Sequence, residues 1–383
     1  MHFLDFVLRN LLRRRVRTAL TIVGVSVAIA AVVALLSITN GYELTSKSVY
    51  ASHGIDMVVV KAGVADRSSS TLDEDLGKRL QELSGISKVS ATLRDSVSFE
   101  GTSGPVPLNG WPLDSFNFDA LNILPPGRDL EPTDKQAVLL GKTLAGNLDK
   151  KVGDEVEIEG KNFKVIGIYE SGNIIEDRKA IMSLRDLQSL MDRISQVSQF
   201  EITLRKDLPD RTATIAVLRQ EIENLKDEDG TKVGLAAQAS DDFVKSDNQI
   251  RLAHAMAWIT SAIALIVGSI GMLNTMIVSV LERTQEIGIL RAIGWRKMRI
   301  MRMILVESFT LSFTGAVLGI LLAFVMIQVL ARFPAAQGAV HGGITMRVIV
   351  MAYLLSILVG LVGGGYPALR GANLPPTEAL RYE

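Results

Sequence analysis

Residues 282–298 read ERTQEIGILRAIGWRKM, and the reading of that stretch decides the architecture of the chain. It is charged, punctuated by glycine and set between two long apolar runs, which places it at a membrane surface. Its helical core, Glu286 to Ala292, closes on Gly294, a residue type suited to ending a short helix. A short amphipathic helix held between two membrane spans can take a push from a soluble partner.

Outward from this stretch, four runs contain no Asp, Glu, Lys or Arg: residues 18–42, 252–281, 308–331 and 348–369. Each is long enough to cross about 30 Å of hydrocarbon as a helix. The run from Leu252 is longer than needed and carries His254, so its first turns project beyond the bilayer. Arg9, Arg13, Arg14, Arg15 and Arg17 precede the first run, which also fits a cleaved signal peptide. That run exceeds the roughly 7–15 residues of a signal h-region, so we read it as a retained span. Hydrophobic residues make up 48% of the chain and its mean hydropathy is +0.27, as for a membrane protein with a sizeable soluble part.

Basic residues near the spans set the orientation. Arg283, Arg291, Arg296, Lys297, Arg299 and Arg302 follow the second span, whereas the loop between the third and fourth holds only Arg332 and Arg347. The positive-inside rule puts both termini and the opening stretch in the cytoplasm and the long segment after the first span outside. The expected division is 1–42, an extracytoplasmic domain at 43–250, and 251–383 with the three remaining spans.

The outer segment reads as a folded α+β domain: a split βα subdomain with a β-rich part, about 101–175, inserted. Residues 55–61 (IDMVVVK) suit a buried strand, and 70–84 carries Leu72, Leu76, Leu80 and Leu83 at helical spacing. Residues 153–169 suit a hairpin turning at Glu159-Gly160. Strands are expected at 180–184, 199–205 and 233–238, and helices at 184–192 and 208–226. Ser240 or Asp241 should cap a helix that runs on into the second span.

Catalytic patterns are sparse. Net charge is zero, and no cysteine is present for thiolate metal sites, disulfides or nucleophilic catalysis. Gly141-Lys142-Thr143 resembles the end of a phosphate-binding loop, but Gln136 stands where its first glycine belongs. His2, His53, His254 and His341 are scattered without ligand spacing. The spans carry no charged residue to relay protons or sodium, which argues against ion-coupled transport. They do carry Gly315 and Gly319, and Gly360, Gly363, Gly364 and Gly365; these permit close helix contact, although glycine is also common in membrane helices generally.

The opening stretch resembles the cytoplasmic signature of the MacB/FtsX-type permeases of ABC transporters, the type VII group. The closing YPALRGANLPPTEALRYE, residues 366–383, resembles the family's C-terminal signature. VLLGKTLAGNL and VGDEVEIEGKNFKVIGIY, within residues 138–169, resemble its extracytoplasmic domain. The resemblance implies a non-enzymatic permease in a bacterial inner membrane, paired as a homodimer. Its outer domain would move by mechanotransmission from a cytoplasmic ATPase, driving efflux or lipoprotein extraction. No cofactor is expected in this chain; ATP and Mg would be bound by the ATPase, expected as a separate polypeptide because only 17 residues precede the first span. A periplasmic adaptor and an outer-membrane channel are further implied partners, and nucleic acid is not. The alternative is a non-transporting regulator that relays ATPase cycles to an enzyme such as a cell-wall hydrolase.

Carried onto these residues, the resemblance makes Glu286, Ile287, Gly288, Ile289, Leu290, Arg291, Ala292, Ile293 and Gly294 the helix that couples to the ATPase. Ile287, Ile289, Leu290 and Ile293 would be its apolar docking surface and Glu286 and Arg291 its polar contacts. Arg296, Lys297, Arg299 and Arg302 are read instead as anchors at anionic lipid headgroups.

Overall fold

A computed structural model of the chain describes residues 15–64, 69–102, 104–227, 229–332 and 343–375. The arginines before Arg15, the loop residues 333–342 with His341, and residues 376–383 of the C-terminal signature lie outside the described residues. The chain divides into two compact units, Met1–Tyr42 with Leu252–Glu383, and Glu43–Arg251.

Helix α1 (Arg15–Ser52) runs through 38 residues without interruption. Several of its hydroxyls bond back to the preceding turn, as Thr21 does to the Arg17 carbonyl and Thr39 to that of Leu35, whereas the buried Ser37 hydroxyl makes no such bond.

The second unit follows with β1 (Met57–Lys61), β2 (Leu72–Asp73), α2 (Leu76–Gln81), β3 (Ile86–Val97), β4 (Val106–Trp111) and β5 (Asn122–Leu124). Next come β6 (Ala137–Gly141), α3 (Lys142–Leu148), β7 (Glu155–Ile158), β8 (Lys161–Glu170), β9 (Ala180–Ser183) and α4 (Leu184–Leu190). It closes with β10 (Gln196–Val197), β11 (Gln199–Leu204), α5 (Arg211–Glu223), β12 (Leu235–Ala239) and α6 (Ser240–Lys245). One sheet runs in the order β12-β1-β11-β3-β4-β9-β6-β8-β5, with β7 paired to β8, while β2 and β10 form a separate ribbon. Strand β3 joins the two halves: its residues up to Thr92 pair with β11 and those from Leu93 pair with β4. The inserted stretch therefore supplies β4 to β8 and widens one sheet. Its β6, AVLLG, is apolar throughout because both faces are covered: Val138 and Leu140 enter one core cluster, Ala137 and Leu139 another.

Three local expectations change. Leu72 leaves the expected helix for β2 because it pairs with Val197 of β10, and the Asp73 carboxylate accepts from the Asp75 amide, turning the chain before α2 starts. The cap of α6 is Ala239, which has no side chain to bond an amide, in place of Ser240 or Asp241. That helix also does not run into the second span. It ends at Lys245, and the Asp247 carboxylate accepts from the Gln249 amide at 2.8 Å, starting a new helix.

That new helix is α7 (Asn248–Glu282), followed by α8 (Thr284–Ala292), α9 (Lys297–Leu330) and α10 (Met346–Asn373). Among the described residues, α1, α7, α9 and α10 are the helices long and apolar enough to cross a membrane. Helices α9 and α10 approach closely. The Ser308 hydroxyl donates to the Gly360 carbonyl at 3.0 Å, and a Cβ on Gly364 would overlap Ser308. Gly319 of α9 likewise lies against the α1 backbone, where a Cβ would stand 2.7 Å from the Ser26 carbonyl oxygen.

Candidate coupling site

Helix α8 is a separate short helix because both of its ends are built. The chain leaves α7 at Arg283, whose φ of −111° and ψ of 15° break the helical path. At the other end Gly294 takes φ +100°, a conformation that only glycine adopts freely. Its amide donates to the Arg291 carbonyl at 3.1 Å, and the Trp295 amide donates to that of Leu290 at 3.0 Å. This pair of bonds is a Schellman stop, and Leu290 and Trp295 each pack against the bundle core.

Once the ends are set, the rotation of α8 decides which side chains are available. Ile287 is 2% exposed and approaches Gly371 of α10. Gly288 is buried beside it, and Leu290 packs against the bundle. The apolar docking surface expected from sequence is therefore corrected: Ile287 and Leu290 hold the helix to the bundle and do not face outward. Arg291 is half-buried, with Nη1 donating to the Trp295 carbonyl at 3.2 Å, so it serves its own helix end. The outward face consists of Gln285, Glu286, Ile289, Ala292 and Ile293, with Ile289 45% and Ile293 73% exposed. These positions recur every three or four residues and form one continuous stripe.

Arg17 and Arg283, which count only for orientation in the sequence, fasten the base of α8 together with three acids. Arg283 is buried, and its Nη1 lies 3.0 Å from Glu307 of α9, also buried. Its Nε lies 3.4 Å from Glu286 in the first turn of α8. Glu282, at the end of α7, is bonded by both terminal nitrogens of Arg17 on α1. The signal in the sequence was that two acids, Glu282 and Glu307, stand at the ends of two spans beside a cluster of basic residues.

Within the second unit, a partly buried set of polar side chains receives the last turns of α1. The Arg94 guanidinium donates to the Tyr50 hydroxyl at 2.9 Å, and the Asn173 amide nitrogen donates to the Thr45 carbonyl at 2.9 Å and the Ser48 hydroxyl at 2.8 Å. Glu176 and Lys179 form a buried pair 2.7 Å apart. Burial disfavours the charge on Glu176, but Lys179, His53 and Arg94 together hold its carboxyl below the ordinary value. Burial holds the Asp177 carboxyl above its ordinary value. The described residues contain no cluster of three or more side chains that could hold a metal ion.

The sequence matches two family profiles, the MacB-like periplasmic core domain over residues 18–225 and the FtsX-like permease C-terminal domain over residues 258–376. It is 27% identical to an ABC transporter permease of Methanocaldococcus jannaschii, over 99% of this chain and 98% of that one. It is 30% identical to the macrolide export ATP-binding/permease protein MacB of Hyphomonas neptunium, over 98% of this chain and 60% of that one. The chain thus spans about three-fifths of the MacB protein and nearly all of the archaeal permease. A solved structure, the periplasmic region of MacB from Actinobacillus actinomycetemcomitans, aligns with TM-score 0.39 and 17% identity over 50% of this chain and 94% of that one.

Four spanning helices and a periplasmic-type domain between the first and the rest define a multi-pass permease with an extracytoplasmic domain. The chain belongs to the MacB/FtsX family of ABC transporter permeases. Membership implies an ATPase partner.

Proposed function

We propose that this permease is a mechanical transmitter: a cytoplasmic ABC ATPase docks on α8 and its cycle moves the extracytoplasmic domain, driving export or extraction of a substrate. ATP and Mg are bound by that ATPase and no cofactor is needed in this chain. The observation that carries the reading is the exposed Ile289–Ile293 stripe on a helix whose opposite face is pinned to the bundle. Apolar side chains at this density face a partner, since water gives them no favourable contact. A relative from Methanocaldococcus is described as a permease and the longer MacB relatives as ATP-binding/permease proteins, so an ABC ATPase is the energy source that the family offers. Both termini and α8 lie on the cytoplasmic side, consistent with the basic residues around α8. The MacB relatives are macrolide exporters by name, so efflux by a pair of permease copies is the favoured output.

The test uses the full permease and its ATPase in nanodiscs, with spin labels in the extracytoplasmic domain. Trapping the ATPase with ATP and vanadate should change inter-label distances, and an ATPase lacking its catalytic glutamate should hold one state through the cycle. Unchanged distances while the permease still stimulates hydrolysis would refute transmission.

A further inference from the structure

The two residues that join α7 to α8 carry opposite charges side by side, and each is held by a different helix. Glu282 accepts from both terminal nitrogens of Arg17 on α1, one of them at 2.7 Å. Arg283 reaches Glu307 on α9 at 3.0 Å, with side chains only 11% and 6% exposed, and reaches Glu286 on α8 at 3.4 Å. The planar peptide between residues 282 and 283 leaves few soft torsions between these two pairs.

A buried ion pair is weak evidence for stability, because apolar residues of the same volume often serve as well. What it supplies is a fixed geometry, since separating two buried opposite charges forfeits an attraction that the apolar setting strengthens. Helix α1 is also the span that continues unbroken to Ser52, whereas the chain before α7 is interrupted between Lys245 and Asn248. A displacement delivered to α1 therefore has a continuous helix to travel along.

We propose that Glu282 and Arg283 form a branch point that passes a displacement of α8 to α9 through Glu307 and to α1 through Arg17. Arg17, Glu282, Arg283 and Glu307 are positioning residues in this scheme; none touches nucleotide or substrate. The inference rests on α8 being the surface an ATPase pushes. It adds the route by which the push divides.

The experiment reverses and then swaps the charges in the full permease, reconstituted with the ABC ATPase that co-purifies with it. Variants are Arg17→Glu, Glu282→Arg and their double, and Arg283→Glu, Glu307→Arg and their double, with Arg17→Lys and Arg283→Lys as conservative controls. Three quantities are read: ATPase affinity, melting temperature, and stimulation of ATP hydrolysis at saturating ATPase. Arg17 and Glu282 are 32% and 38% exposed, so reversing one leaves no deeply buried charge and the variant folds. At unchanged affinity, stimulation should fall about threefold or more in Arg17→Glu. In Arg283→Glu it should fall about tenfold or more. Each charge-swapped double should recover to within about twofold of wild type, and the lysine controls should lie between.

Single reversals that melt, bind and stimulate like wild type would overturn the branch point, as would doubles no better than singles at equal affinity and melting temperature. A wild-type permease that binds no ATPase would overturn the role of α8 and this inference with it, so the two failures are told apart by the binding measurement alone.

Discussion

Replacing Ile289 and Ile293 together by alanine tests the docking face most directly. The two side chains are 45% and 73% exposed, so a partner covering them can bury what the bundle leaves open. At about 2.5 kcal/mol for burying a whole isoleucine, those fractions correspond to about 1.1 and about 1.8 kcal/mol. Alanine retains about a third of that area, so the double variant should lose about 2 kcal/mol, or ~30-fold in Kd. The assay is titration of the ATPase onto permease held in nanodiscs, with hydrolysis followed at saturation to separate binding from stimulation. Ile287→Ala is the contrast. At 2% exposure its side chain belongs to the bundle, so that variant should lower the melting temperature and leave the ATPase affinity of the folded protein unchanged. The reasoning is refuted if Ile287→Ala weakens binding while the Ile289/Ile293 double does not, because the rotation of α8 would then be the reverse of the one described.

Gly364→Val should damage the α9–α10 packing by about 1–3 kcal/mol or more, since its Cβ would overlap Ser308, whereas Gly365→Val meets no atom within 4 Å and should be tolerated; thermal melting of the two in detergent compares them. Asn173→Ala removes two hydrogen bonds to the end of α1, which at about 1 kcal/mol each should lower the melting of the extracytoplasmic domain by roughly 4–8 °C. Trp111, buried in that domain, is the fluorophore to follow, and an unchanged transition would count against the contact. In pH titrations two carboxyls act with opposite sign. Glu176 titrates below its unfolded value, so its contribution is full above that value and is lost as pH falls through the folded one. Asp177 titrates above its unfolded value, so acidification first relieves its burial penalty. Stability of the domain should thus hold or rise slightly on the way down and fall below about pH 4, and Glu176→Gln should flatten that final fall.

The parts of the fold legible in the sequence are those decided by neighbours along the chain. The hairpin between β7 and β8 turns at Glu159 and Gly160, both at positive φ (49° and 75°), a geometry announced by the glycine and the flanking alternation. The stop of α8 depends on Gly294 in the same way. What was not legible depends on partners distant in sequence. Leu72 sits at helical spacing but pairs with Val197, 125 positions on, so tertiary pairing overrides the local period. The face of α8 was misread because a turn of about 100° separates adjacent positions on a helix, and only packing against α10 tells Ile287 from Ile289. The Arg283–Glu307 pair spans 24 residues and two helices, and no local pattern encodes it.

The start of α9 is strongly basic, where the positive end of a helix dipole favours acids. Arg296 occupies its N-cap, Lys297 and Arg299 lie in its first turn, Arg302 follows, and no acid is present there. All four are exposed, and Arg296, Arg299 and Arg302 recur every third residue, opposite the buried Ile300, Met303 and Ile304. Positive charge at the positive end of a helix dipole costs about 0.3–1 kcal/mol per residue, so the arrangement needs an outside anion. Lys297 donates to the neutral side-chain amide oxygen of Asn373, and Arg299 stacks on Trp295, a residue type favoured at the headgroup level. The net negative charge of an anionic leaflet fits, at about 1 kcal/mol per basic residue near its surface. The sign of the effect is then set by the lipid. In nanodiscs rich in anionic lipid, changing Arg296, Arg299 and Arg302 to Gln should lower the melting temperature. In purely zwitterionic nanodiscs the same change should raise it, because the repulsion from the helix dipole is relieved and no net leaflet charge is lost. The same sign in both lipids would show that these arginines answer to a protein partner or to the fold itself, and not to the membrane surface.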